Sequence, residues 1–133
     1  MTPVNMIKDV VQKTFPDFQV FTDSIPGEYI EDYATTQVLI KETQSDIGAQ
    51  GDMTFNTMRV GADVQLFYGT ELDTDMLLVE IKLMKSLEQA GWVIGYSQPR
   101  YLDLSNTDVQ QTIKIISINN EFTLEELGYD NGI

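Results

Sequence analysis

The sequence predicts an α+β domain, a mainly antiparallel sheet of about five to six strands with two helices packed on one face. Three observations carry this. Met58, Val60, Ala62, Val64, Leu66 and Tyr68 alternate with Arg59, Gly61, Asp63, Gln65 and Phe67, the period of two of a strand with one buried face. An acidic run, Glu71, Asp73 and Asp75, then supplies Asp73 or Thr74 as the N-cap of a helix predicted over Thr74 to Ala90. Gly91 takes the left-handed C′ position, and a strand follows at once over Trp92 to Tyr96. Finally, Ile113 and Ile115 on one face and Ile116 and Ile118 on the other mark a central strand, or an edge that another subunit covers.

The remaining elements follow in chain order. Thr2 and Pro3 read as N-cap and N1 of a first helix, with Val4, Ile7, Val10 and Val11 as its core stripe and Phe15-Pro16 as its end. Its short length and mixed charge predict that it lies on the sheet rather than serving as a membrane or partner helix. Phe18, Val20 and Thr22 form a short strand, and Ile25-Pro26-Gly27 a turn. The acids and tyrosines from Glu28 to Tyr33 read as an exposed rim, because no loop of calcium-ligand spacing is present. Thr36 to Lys41 is the next strand. Glu42 to Thr57 is the longest polar stretch and joins two strands that should pair antiparallel, so it is the tip of a long hairpin standing off the body, either disordered or ordered against a partner. It lacks the Gly-Lys-Ser/Thr ending of a phosphate loop. Tyr101 to Leu104 and Val109 to Ile118 form a last hairpin around the turn formers Ser105-Asn106-Thr107-Asp108.

Residues 1–118 therefore read as a single α+β domain, and 119–133 as an acidic C-terminal tail. Phe122, Leu124, Leu127 and Tyr129 punctuate its acids, so the tail either frays or docks as an arm on a neighbouring chain. The wheel of the second helix puts Met76, Val79, Leu83, Leu87 and Ala90 on one side, with Leu77, Ile81 and Met84 adjoining. Glu80 projects from within that wide apolar arc. An unpaired buried carboxylate is costly, so Glu80 either reaches solvent or a base such as Arg59 or Lys114, or the arc serves two surfaces, the sheet and another chain.

Composition excludes several functions. The 8 basic and 21 acidic residues give a formal charge of −13, which argues against a nucleic-acid groove and against contact with an anionic membrane. The absence of Cys and His removes the thiol nucleophile, the disulfide, and the commonest acid/base and metal ligand. No catalytic, cofactor or metal residue is assigned. The N-terminus does not read as a signal peptide, and no apolar stretch approaches the ~20 residues that span a bilayer, so the chain is expected to stay in the cytosol where it is made. The candidate interaction residues are Gln44, Asp46, Gln50 and Asp52 of the long polar segment, Glu80, and Phe122 and Leu127 of the tail.

The Thr2-Pro3-Val4 helix start, the Ile25-Pro26 turn, the long loop before the Met58 to Tyr68 strand, and the Asp73 to Gly91 helix running into Trp92 resemble small tail-completion proteins of long-tailed bacteriophages. The likeness is to minor tail proteins of phages and prophages of lactic-acid and related Gram-positive bacteria, and more distantly to the tail terminator fold. It implies a structural, non-enzymatic protein in the virion tail that forms a ring, a hexamer, capping the tail tube and joining it to the head connector. DNA would pass through without tight binding. By position alone, the Glu42 to Thr57 segment would meet the tube or line the channel, and the second helix would lie near a subunit boundary. A negative lumen would repel phosphate and let DNA slide.

Two other classes stay open. In a DNA-mimicking inhibitor the carboxylates would imitate phosphates for a basic partner, but here the acids spread over loops and tail. An enzyme could use paired carboxylates without His, but Glu71, Asp73 and Asp75 stand where a helix start favours them. A small protein-binding module is a further alternative.

Overall fold

The computed structural model describes residues 1–105 and 110–130. The expected turn residues Asn106–Asp108, with Val109, and the last three residues of the tail lie outside the described residues.

Helix α1 spans Pro3–Thr14, opened by Thr2, whose hydroxyl accepts from Asn5 N at 3.3 Å. Strand β1 (Gln19–Thr22) leads through a 3₁₀ turn at Gly27–Tyr29 to β2 (Gln37–Ile47). Two short strands, β3 (Gln50–Gly51) and β4 (Thr54–Phe55), precede β5 (Thr57–Phe67). Helix α2 (Met76–Gln89) is followed by β6 (Val93–Ser97), β7 (Tyr101–Asp103) and β8 (Gln111–Thr123). The main sheet has the order β1-β2-β5-β8-β6, with β7 continuing the β6 edge along β8, and β3 and β4 form a separate two-stranded ribbon.

The α+β expectation holds: two helices and a mixed six-stranded sheet are present. Only the β1–β2 pair is parallel, and the other pairings of the main sheet are antiparallel. Strand β8 lies between β5 and the β6–β7 edge, which explains its isoleucines on both faces. One face of the sheet, with Val38, Ile40, Val64, Leu66, Ile116 and Ile118, packs under Ile7 and Val11 of α1 and Val79, Leu83 and Leu87 of α2. On the opposite face, the segment after β1 closes one end. The Gln37 amide donates to Tyr29 O at 2.7 Å and to Gln19 Oε1 at 2.9 Å, and the Phe21 and Tyr29 rings meet at 5.1 Å. Asp32 accepts from the Thr35 and Ala34 amides and the Gln19 side chain, and the Thr35 amide above all holds its carboxyl below the usual range.

Several boundaries differ from expectation, each for a local reason. Helix α2 starts at Met76 because Asp75, rather than Asp73 or Thr74, caps it, accepting from Leu77 N at 2.9 Å. It ends at Gln89 with Ala90 as C-cap, one residue before the expected end. Gly91 has φ +97, and Trp92 N donates back to Leu87 O at 3.0 Å. Phe18 precedes β1 and stacks on Phe15 at 4.6 Å instead of joining the strand. Strand β8 runs through residue 118, past the expected start of the tail, and Phe122 is buried edge-on against Trp92 at 5.5 Å. Leu127 packs partly against the same core. Phe122 and Leu127 thus serve this chain's own interior rather than a free docking arm. Beyond Thr123 the chain turns back, with Thr123 N and Oγ1 donating to Glu126 Oε1 at 3.0 and 2.9 Å.

Gly69 sits where β5 leaves the sheet, and a Cβ there would run into the backbone of Ala34, Thr35 and Thr36. Gly27 has open space around it. Gly69→Ala is therefore expected to cost roughly 1–3 kcal/mol through overpacking, while Gly27→Ala stays within about 0.5 kcal/mol, both read from urea unfolding midpoints.

Candidate functional site

Two features stand out beyond the core: a buried polar cluster under α2 and a projecting hairpin. The cluster is built by three elements. Glu80 faces the sheet from α2 and is 2% exposed. Tyr68, just past the end of β5, donates its hydroxyl to Glu80 Oε2 at 2.5 Å, and Arg100, between β6 and β7, donates Nε to the same oxygen at 2.7 Å. The partner of Glu80 is thus Arg100, not the Arg59 or Lys114 expected from sequence. Arg59 instead meets Glu121 at 3.1 Å, and the Lys114 ammonium donates to Gln98 O.

Burial, first of all, and then the Glu80 carboxylate raise the Tyr68 phenol far above its ordinary value, and the Glu80 hydrogen bond raises Arg100. The cluster satisfies the carboxylate of Glu80 without opening it to a substrate. The cavities of ≈ 580, ≈ 430 and ≈ 220 Å³ are lined by other residues. Oε2 of Glu80 takes both donors, the phenol and the guanidinium, inside the protein. It fastens the middle of α2 to the corner between β6 and β7.

A cavity of ≈ 580 Å³ forms a groove between the C-terminal end of α1 and the start of α2. Phe15, Phe18, Leu72, Leu78 and Val79 make its apolar walls, and Lys82 stands among the lining residues. No group of three or more acids among the described residues is arranged to hold a metal ion, and no described helix is long and apolar enough to cross a membrane.

The segment from Glu42 to Thr57 is a hydrogen-bonded hairpin over most of its length. Strand β2 pairs with β5 out to Ile47↔Met58, with a register shift between Glu42 and Gln44, and the β3–β4 ribbon carries the hairpin on to a tip at Asp52-Met53. Ala49 N donates to Thr57 Oγ1 at 2.6 Å, that hydroxyl donates to Glu121 Oε2 at 2.9 Å, and Arg59 Nε closes the network on Glu121 Oε1. These bonds, led by the Thr57 hydroxyl, depress the Glu121 pKa. Gly48 packs so tightly on Thr57 Oγ1 that a Cβ would collide with it.

Of the sequence-derived candidates, Gln44, Asp46, Gln50 and Asp52 share this hairpin and are exposed, and Gln44 Nε2 donates to Asp46 Oδ2 at 2.6 Å. Glu80 lies in the separate cluster, and Phe122 and Leu127 lie in or against the core. Sequence reading missed Met53 and Arg100. Met53 follows an Asp in a Gly-Asp-Met-Thr stretch that does not advertise a left-handed turn, and Arg100 follows a proline in an edge segment with no periodicity.

Replacing Glu80 leaves a phenol and a guanidinium without their acceptor, so Glu80→Lys is expected to destabilise by about 2–4 kcal/mol. Glu88→Lys on the exposed side of the same helix is expected to change stability by about 0.5 kcal/mol or less. The Tyr68 phenol has a raised folded-state pKa, so it contributes stability below the ordinary value of 10.0 that is lost as pH rises above it, where the unfolded chain gives up the proton first. Tyr68→Phe is expected to flatten the alkaline fall in melting temperature above about pH 10, and an unchanged slope would contradict this.

Comparison with curated proteins finds no match. A family model described as "Protein of unknown function (DUF806)" matches residues 1–123, which takes in every helix and strand among the described residues. The arrangement of two helices over one face of a mixed sheet, with a hairpin projecting from it, is thus carried by a chain that belongs to the DUF806 family.

Proposed function

We propose that this chain is a structural, non-enzymatic subunit of a long-tailed phage, one that assembles with copies of itself into a ring at the end of the tail tube and joins the tube to the head connector. The observation that carries the reading is the hairpin. Its side chains from Lys41 to Ile47 are all exposed, yet its backbone is paired and its base is pinned to β8 by the Ala49, Thr57, Arg59 and Glu121 network. A paired arm that buries little of its own surface has its natural use in contact with another molecule. The sequence resemblance to tail-completion proteins supplies the kind of assembly.

The surface supports the same reading in two ways. Leu77, Leu78 and Ile81 of α2 are exposed beside the buried stripe of that helix, so the wide apolar arc continues onto a surface where another chain can lie. A charge of −13 keeps a ring lumen repulsive to phosphate, which lets DNA pass without sticking. The acids weigh against a DNA mimic. Asp32, Glu80, Asp103, Glu121 and Glu126 each accept hydrogen bonds within the chain, so they are spent on turns and anchors rather than arrayed as a ribbon.

Light scattering across protein concentration at low and moderate salt tests the proposal, because screening reduces repulsion among like-charged chains. A concentration-dependent rise to a closed oligomer of about six chains is the expected result. A mass fixed at that of one chain throughout the series overturns self-assembly.

A further inference from the structure

The tip of the hairpin is built in an unusual way. Asp52 and Met53 both have positive φ, 53° and 67°, the conformation of a two-residue hairpin turn that favours Asn and Gly. Met53 has no such preference and a side chain with nothing to cover it, at 106% relative exposure. A flexible apolar side chain held at the apex of an arm, in a backbone conformation that disfavours it, marks a position kept for contact. Phe55 adds exposed apolar surface on the ribbon just below the tip, and Asp52 sets a negative charge beside Met53; Ile47 is exposed nearer the base of the arm.

The outer face of α2 has the complementary pattern. Leu77, Leu78 and Ile81 are 52%, 54% and 44% exposed, and Lys82 and Lys85 stand on the same side of the helix. Lys82 takes part in none of the ion pairs among the described residues, and Lys85 reaches Glu88 only at 3.6 Å, with both side chains largely exposed. Glu88 follows Ile81 by two turns on the same side and takes up Lys85, so Lys82 is the lysine of this face that remains outside the ion pairs among the described residues.

The two surfaces cannot meet within one molecule. Leu77 lies near Tyr68, whose hydroxyl reaches Met76 O and Glu80 at the far end of β5, while the arm extends from Thr57 at the near end. The 11-residue strand between them spans on the order of 35 Å. Sheet edges offer no easier route to assembly. The β6–β7 edge is shifted in register between Ile94 and Tyr96 and interrupted by Gln98-Pro99-Arg100, and β1 at the other edge has 4 residues.

We infer that the hairpin tip of one copy, led by Met53 with Asp52 beside it, docks on the outer face of α2 of a second copy, over Leu77, Leu78 and Ile81 and within reach of Lys82. The occupant of the helix face is a second copy of this chain. The contact joins unlike surfaces, so it runs head to tail and closes into a ring or continues as a filament. It rests on the proposed self-assembly and names the surfaces that would carry it.

The chain has no cysteine, so introduced thiols report this contact directly. The double variants Met53→Cys/Leu78→Cys and Met53→Cys/Ile81→Cys, treated with a short bismaleimide in the salt that favours assembly, are expected to give a ladder of covalent multimers. Each single variant should give at least about tenfold less, and a mixture of Met53→Cys with Leu78→Cys should stop at two chains. Cross-linking of Met53→Cys alone as efficient as that of the double variants means a tip-to-tip contact and overturns the inference. A closed oligomer in light scattering with no cross-linking in either double variant overturns the arm contact and leaves the ring reading standing. A ladder that continues into filaments keeps the contact and overturns the ring. Met53→Gly separates contact from folding, because glycine relaxes the tip. Its melting temperature is expected to equal or exceed that of the parent chain while assembly weakens about tenfold, and undiminished assembly overturns the role of Met53.

Discussion

The pairing of β5 with β2 on one side and β8 on the other is the constraint on which the rest of this structure depends. These strands are longer than the core they cross. Their central residues, Val38, Ile40, Val64, Leu66, Ile116 and Ile118, bury one face under both helices. Toward Thr57 the helices no longer cover them, and the same backbone hydrogen bonds continue into a hairpin whose side chains meet water. Backbone pairing needs no apolar side chain to satisfy its donors and acceptors, which is how so polar a segment holds a defined direction. The side-chain network of Thr57, Arg59 and Glu121 then sets the base of the arm against the last strand.

The Tyr68, Glu80 and Arg100 cluster has a different task. A helix with an apolar arc as wide as that of α2 can roll over a sheet with little penalty, because several neighbouring stripes would serve for packing. A buried carboxylate with two specified partners removes that freedom, since rotating the helix would strand three polar groups. Whether a buried ionic contact stabilises a fold overall depends on its desolvation. Its directional requirement holds in either case. The consequence at the surface is that Leu77, Leu78 and Ile81 are turned outward instead of being absorbed into the core.

Charge sets the terms on which such a surface can be used. Copies carrying −13 repel one another at a distance, so association has to come from local complementarity at short range, where screening by salt and the burial of apolar side chains act together. The sheet edges, blunted by a proline, a register shift and a short strand, resist indiscriminate edge-to-edge pairing between copies. The proposed contact, with Met53 over Leu77, Leu78 and Ile81 and Asp52 near Lys82, would be a more selective one.

Local sequence determined the parts of this protein whose cause is local. The Thr2-Pro3 helix start, the alternation from Met58 to Tyr68, the Gly91 stop before Trp92, and the isoleucines on both faces of the last strand each follow from periodicity or capping within a few residues, and each stands where those rules put it. Glu80 was legible as a misfit for the same reason. Its partner was not, because Arg100 reaches it across 20 residues of chain from an aperiodic corner, and only the packing of α2 over β6 brings the two together. The parallel placement of β1, the extension of β2 to Ile47 and the burial of Phe122 were likewise settled by long-range pairing, in which the partner strand rather than the local pattern fixes the geometry. The left-handed turn under Met53 belongs to the same group: a hairpin closed by its flanking strands imposes a backbone conformation that its own residues do not prefer.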